Sequence, residues 1–161
     1  TARILGLGYP GGPAIAAEAE KLKTINYKLI TKLPRPMIYQ KNYDFSFSGL
    51  KTAVLYKIKD LRFKINDKNY IHAMCAEIQQ SIIDVLIYKT LKAAKAYNVQ
   101  TVFLGGGVTA NDELRKQFKE KIEKEIPYSK FYIPDSKFCT DNAAMIAVAG
   151  YYHWLRKKLG H

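Results

Sequence analysis

Val99-Gln100-Thr101-Val102-Phe103-Leu104-Gly105-Gly106-Gly107 points to the class of fold. A short apolar run bounded by Asn98 and by three consecutive glycines reads as a buried parallel strand that ends in a glycine loop. Asn111 or Asp112 then caps a helix over residues 113–124, whose alternating charges mark an exposed face. Strand, tight loop and helix in that order are the unit of an α/β architecture, in which function is expected at the loops beyond strand ends.

Downstream, residues 131–133 read as a second strand. Cys139-Thr140-Asp141-Asn142 introduces a last helix whose apolar content comes from Met145, Ile146, Val148, Ala149, Tyr152, Trp154 and Leu155. Upstream, a long amphipathic helix follows residues 66–69, with Ile71, Met74, Ile78, Ile82, Val85 and Leu86 as core residues on one face. Phe45-Ser46-Phe47-Ser48 alternates with period two, as a short strand does, and Gly49 hands over to a helix carrying Leu50, Val54, Leu55 and Ile58. Residues 25–44 hold strand-like pieces around Pro34 and Pro36, an irregular or edge-strand region. The opening residues 1–7 read as the tail of a helix stopped by glycine. Tyr9-Pro10-Gly11-Gly12-Pro13 is a turn, with Pro13 at the first position of a helix through Ala14, Ala17 and Leu22. No internal repeat or low-complexity linker interrupts the chain, so residues 1–161 are expected to form one domain.

The 161 residues are 48% hydrophobic, enough for one core, and 26 Lys and Arg against 14 Asp and Glu give a net charge of +12. That surplus suits a polyanionic partner or a negative membrane surface; lysines scattered through Lys57, Lys59, Arg62, Lys64 and Lys68 equally fit a solvated helix face. Two distant cysteines, Cys75 and Cys139, indicate neither a disulfide framework nor a zinc knuckle and fit a reducing compartment. No apolar stretch approaches a membrane span, so no membrane association through one is expected, and a soluble, cytoplasmic protein is.

Three places can carry chemistry. The glycines of Gly105-Gly106-Gly107 leave backbone N–H groups open to a phosphate or ribose, although the sequence is neither a Walker loop nor a GxGxxG fingerprint. Asn111 can bond a ligand hydroxyl or simply cap its helix. Asp141 precedes an apolar helix start, a costly place for a carboxylate unless it caps, pairs or holds a metal. The Tyr9 to Pro13 glycines either admit a ligand to the backbone or only connect two helices. His72, His153 and His161 show no ligand spacing with one another or with a carboxylate, so no complete metal site is expected from this chain. Ser46 and Ser48 lack a GxSxG elbow and read as structural hydroxyls. Glu77, Gln79 and Gln80 form a polar flank of the long helix, and either Gln could face a cleft.

Taken in order, Tyr9-Pro10-Gly11-Gly12-Pro13, Phe45-Ser46-Phe47-Ser48-Gly49-Leu50-Lys51-Thr52, Gly106-Gly107-Val108 with Asn111, and Cys139 through Ala147 resemble the TsaD family, the tRNA N6-adenosine threonylcarbamoyltransferases. The resemblance implies an actin/hexokinase/Hsp70-like fold, called ASKHA, in which two lobes close over a nucleotide and each holds a sheet flanked by helices. This chain would be mostly the second lobe. The implied reaction moves a threonylcarbamoyl group from threonylcarbamoyl-adenylate to N6 of the adenosine beside the anticodon, in tRNAs reading codons that begin with A. An alternative is a non-catalytic tRNA- or protein-binding module derived from that enzyme.

By the same resemblance Gly12 and Asn111 contact the substrate, Gly105, Gly106 and Gly107 form the glycine loop beside it, and Asp141 ligates one divalent metal ion, iron in the family. No single residue here is assigned as catalytic. The family's His-x-x-x-His metal pair and its ligand-binding aspartate upstream of Thr1 have no counterpart in this sequence, so the first lobe is expected to be absent and the chain alone inactive. TsaB- and TsaE-like proteins are the implied partners, with tRNA. Self-association is expected through the lobe face that a first lobe would cover.

Overall fold

A computed structural model describes residues 1–25, 32–60 and 67–160. It is α/β and mostly helical: α1 (Gly11–Lys21), α2 (Ser48–Asp60), α3 (Lys68–Ala96), β1 (Thr101–Phe103), α4 (Asp112–Glu125), β2 (Lys130–Tyr132) and α5 (Ala143–Leu159). The core hangs on α3. Asp67 caps it by accepting from Asn69 N at 2.9 Å, and its 29 residues carry apolar groups on more than one face. Ile71, Met74, Cys75 and Ile78 meet Leu50, Val54 and Ile58 of α2 and Ala19 of α1 in one cluster. Further along, Ile83, Ile87, Leu91 and Ala94 meet Val102 of β1 and Leu114, Phe118 and Ile122 of α4 in another. The one-sided stripe expected for this helix is therefore incomplete: Ile82 and Leu86 are half-buried, while Ile83 and Ile87 on the neighbouring face are buried.

β1, α4 and β2 form a strand–helix–strand unit with a parallel pair, Thr101 opposite Lys130, Val102 opposite Phe131 and Phe103 opposite Tyr132. Leu104 N donates to Tyr132 O at 3.0 Å and lengthens the ladder to the edge of the glycine loop. Phe118 stacks on Phe131 at 6.2 Å and locks α4 to the sheet. The strand is covered on one face only, since Val102 is buried while Phe103 and Tyr132 lie open.

Three expectations need correction. α1 begins at Gly11, with Pro10 as its N-cap, so Pro13 falls inside the first turn, where a missing N–H costs no intrahelical bond. Residues 45–48 form no strand, because no neighbour pairs with them; Phe47 packs on the core, Phe45 is exposed and Ser48 already belongs to α2. No strand occurs around Pro34 and Pro36 either, where residues 36–39 make a turn; residues 26–31 lie outside the described residues. Lysines of α3 hold the segment before α2 in place. Lys89, 1% exposed, donates to Asp44 O at 2.6 Å and to Asn42 O and Oδ1 at 3.3 Å, and Lys92 donates to Gln40 O and Lys41 O at 3.0 Å.

α5 leaves the body of the chain. Asn142 Oδ1 accepts from Met145 N at 3.1 Å to start it, and Gly160 in the left-handed region, φ 74°, ends it. None of its residues is buried, and Met145, Ile146, Val148, Tyr151, Tyr152 and Trp154 are all exposed. No helix among the described residues is long and apolar enough to cross a membrane.

Candidate functional site

The strand delivers its last residue to Gly105, and the chain then turns at Gly106, whose φ of 90° with ψ 167° is closed to residues with a Cβ. Gly106 O accepts from Thr109 N at 3.0 Å and from Thr109 Oγ1 at 2.7 Å, which folds Gly107–Ala110 into a 3₁₀ turn. The N–H groups of Gly105, Gly106 and Gly107 find no acceptor among the described residues. Three successive donors are thus left available to a ligand oxygen.

Asn111 closes the loop. Its Oδ1 accepts from Leu114 N at 2.9 Å and so caps α4, and its Nδ2 donates to Gln79 Oε1 of α3 at 2.7 Å. The cap is therefore real, and it leaves one N–H and one lone pair of the amide uncommitted. Glu113, in the first turn of α4, has its carboxyl held below the usual range by the hydrogen bond from Gln117, helped by Lys23 at 3.2 Å.

Arg115 ties the glycine loop to the segment that bears Asp141. Its Nε donates to Thr109 O at 2.6 Å, and its Nη2 reaches Pro134 O at 2.7 Å and Cys139 Sγ at 3.1 Å. A Cβ added to Gly107 would meet Thr140 Cγ2 at 3.8 Å, so the two segments are neighbours. Asp141 itself is exposed, and no hydrogen bond or ion pair engages its carboxylate among the described residues. Capping of α5 falls to Asn142, which removes the cap as an account of Asp141.

Gly12 lies in the first turn of α1, exposed, with nothing within 4 Å of where a Cβ would stand. The described contacts of α1 run to α3, where Glu18 Oε2 stands 2.8 Å from His72 Nδ1, and to the opening turn. Glu18 is thus a carboxylate neighbour of His72 that residue spacing did not reveal. The structure joins the glycine loop, Asn111 and the Asp141 segment; no hydrogen bond links Gly12 to them.

A metal ion would find one ligand here. No group of three His, Cys, Asp or Glu side chains converges among the described residues, and Asp141 offers a hard cation one carboxylate donor. The region is an open surface. Two hollows of about 510 and 440 Å³ flank α4, one lined by Lys116, Lys119 and Phe131 and the other by Tyr88, Leu91 and Lys121, and none of the candidate residues lines either. Arg115 is the supporting residue that local sequence did not single out, one basic residue among many; Gln79 was read as part of a polar flank that could face a cleft, without its partner Asn111.

A family model described as tRNA N6-adenosine threonylcarbamoyltransferase matches residues 1–148. Curated relatives carry the same description. A protein of Desulfotalea psychrophila is 49% identical over 158 residues, which is 96% of this chain and 44% of the relative. One of Thermosipho africanus is 49% identical over 152 residues, 93% of this chain and 43% of the relative. A Geobacillus thermodenitrificans protein is 44% identical over 158 residues, 98% and 44%. The chain therefore spans less than half the length of these relatives.

Proposed function

Because the chain belongs to the TsaD family of tRNA N6-adenosine threonylcarbamoyltransferases, we propose that it supplies the nucleotide-binding part of the site that transfers a threonylcarbamoyl group from threonylcarbamoyl-adenylate to N6 of the adenosine beside the anticodon. The observation that carries this reading is the meeting of the glycine loop with the Asp141 segment, stapled by Arg115. On this reading the fold is the second lobe of an ASKHA architecture, and residues 1–161 act as one domain.

The transfer breaks the mixed-anhydride bond of the adenylate as the N6 amine attacks the carbamoyl carbonyl, and adenosine monophosphate leaves. In this reading, the N–H groups of Gly105, Gly106 and Gly107 receive the ligand's phosphate or ribose oxygens, Asn111 reads a hydroxyl with its free N–H and lone pair, and Gly12 lets the ligand approach the backbone of α1. Asp141 contributes one oxygen ligand to a divalent ion, iron by family, which when bound supplies charge neutralisation at the ligand phosphate. Excluding water requires a second wall, since these residues sit on an open surface. TsaB- and TsaE-like proteins and tRNA are the partners that fit this role, with the positive surplus facing the RNA. The exposed apolar residues of α5 and of the open sheet face are the surface through which copies of the chain would self-associate.

The net charge of +12 favours a second reading, a binding module that holds tRNA without chemistry. Titration separates the two. A hydrolytically stable analogue of threonylcarbamoyl-adenylate should bind the chain and lose affinity in Asn111→Asp. Strong, salt-dependent tRNA binding with no measurable binding of the analogue would favour the module.

A further inference from the structure

We infer that Gln79 is a positioning residue for the substrate, acting through the amide of Asn111; this deepens the reading above and rests on it. The orientation of that amide is decided by its surroundings. Leu114 N needs an acceptor at the start of α4 and takes Oδ1 at 2.9 Å, so the opposite end of the amide must be Nδ2. Nδ2 lies 2.7 Å from a side-chain oxygen of Gln79, and this is the one hydrogen bond that the Gln79 side chain makes among the described residues. A helix cap alone fixes Oδ1 and leaves the amide free to pivot about it; the second bond, from a different helix, removes that freedom. The N–H and lone pair that remain for a ligand are then held in one direction before the ligand arrives.

The support behind Gln79 is rigid. It sits on the middle of α3 between Ile78, which is buried, and Gln80, which bonds Asp84 at 2.7 Å and Gln117 of α4 at 2.9 Å. Two residues on, Ser81, fully buried, bonds Glu77 O, one turn before it, at 2.8 Å. Glu77 in turn accepts from Leu33 N at 2.8 Å and pairs with Arg35. α3 and α4 are thus fixed to each other at the point where Gln79 meets Asn111, so the bond transmits the position of a core helix to a surface amide. No other side chain on α3 reaches the glycine loop or its cap by a hydrogen bond among the described residues.

The experiment is a double-substitution cycle on the full chain, read by titration with a hydrolytically stable analogue of threonylcarbamoyl-adenylate and by thermal unfolding. Gln79→Leu, which keeps the size and removes the acceptor, should weaken binding by about five- to tenfold, the scale of one hydrogen bond. Gln79→Glu, which keeps an acceptor oxygen, should recover part of that loss at high salt, where its added charge is screened. Added to Asn111→Ala, Gln79→Leu should weaken binding no further. A merely structural Gln79 would instead weaken binding equally in both backgrounds and lower the unfolding temperature in proportion. If Asn111→Ala weakens binding and Gln79→Leu does not, the positioning role is overturned while the site stands. If the unsubstituted chain does not bind, or Asn111→Ala leaves binding unchanged, the underlying reading fails and this inference with it.

Discussion

At the scale of single residues, capping and binding can be pulled apart at Asn111. Asparagine and aspartate cap helices about equally, so Asn111→Asp should change stability by no more than about 0.5 kcal/mol in denaturant unfolding. The same substitution removes both N–H donors and adds a charge beside the glycine loop, so analogue binding should disappear. Lys89 offers a different test. Lys89→Met keeps the aliphatic stem but removes the 2.6 Å donor to Asp44 O, and a loss of about 1–3 kcal/mol is expected in urea unfolding. Cys75 is buried, and that burial, with a smaller push from Glu18, raises its thiol to about 12. It should resist thiol reagents in native buffer at pH 8 and react once the chain is unfolded; rapid labelling of the native protein would contradict the packing around α3. The sequence showed the glycine loop and the Asn111 cap because both follow from local backbone needs. Arg115 was not legible, and Gln79 was legible only as a residue that could face a cleft and not as the partner of Asn111, since these contacts span up to 24 and 32 positions in the chain and no local pattern records them.

At the scale of elements, α3 explains what periodicity could and could not reveal. Its length and its apolar positions were readable, but a helix packed by α1 and α2 at one end and by α4 and β1 at the other has no single stripe to detect. The alternation at residues 45–48 failed for a related reason: one side chain in and one out is common to strands and to unpaired extended segments, and only a neighbouring strand distinguishes them. Phe118 joins α4 to β2, and Phe118→Ala should cost about 3–5 kcal/mol, measured by urea unfolding. Acid should loosen the same contacts. Glu18, Glu113 and Glu125 are each held below the usual carboxylate value of 4.5, first by hydrogen bonds from Lys21, Gln117 and Lys95 respectively. A depressed folded value means that the stabilisation is present above pH 4.5 and is lost as pH falls through the folded values. Thermal stability should therefore be level from neutral pH down to about pH 5 and decline below it, with Lys95→Met flattening part of that decline.

At the scale of the whole molecule, a sheet covered on one face and a helix with no buried residue share one consequence: apolar side chains of both are exposed to solvent. Sedimentation at rising concentration should show reversible self-association, and replacing Ile146 and Trp154 with serine should reduce it. The family membership of the chain was legible in the order of its four motifs, whereas the approach of Thr140 to Gly107, which brings the Asp141 segment to the glycine loop, was not, because the two lie far apart in the chain and no local pattern records their contact. Reconstitution decides whether the chain takes part in the transfer. The chain is combined with a first-lobe chain carrying the His-x-x-x-His pair, threonylcarbamoyl-adenylate and tRNA, and the modified nucleoside is measured by mass spectrometry. Threonylcarbamoyladenosine that forms only with both chains, and that Asp141→Ala abolishes, is the predicted result. A folded, associated pair of chains that binds tRNA and yields no modified nucleoside would contradict it.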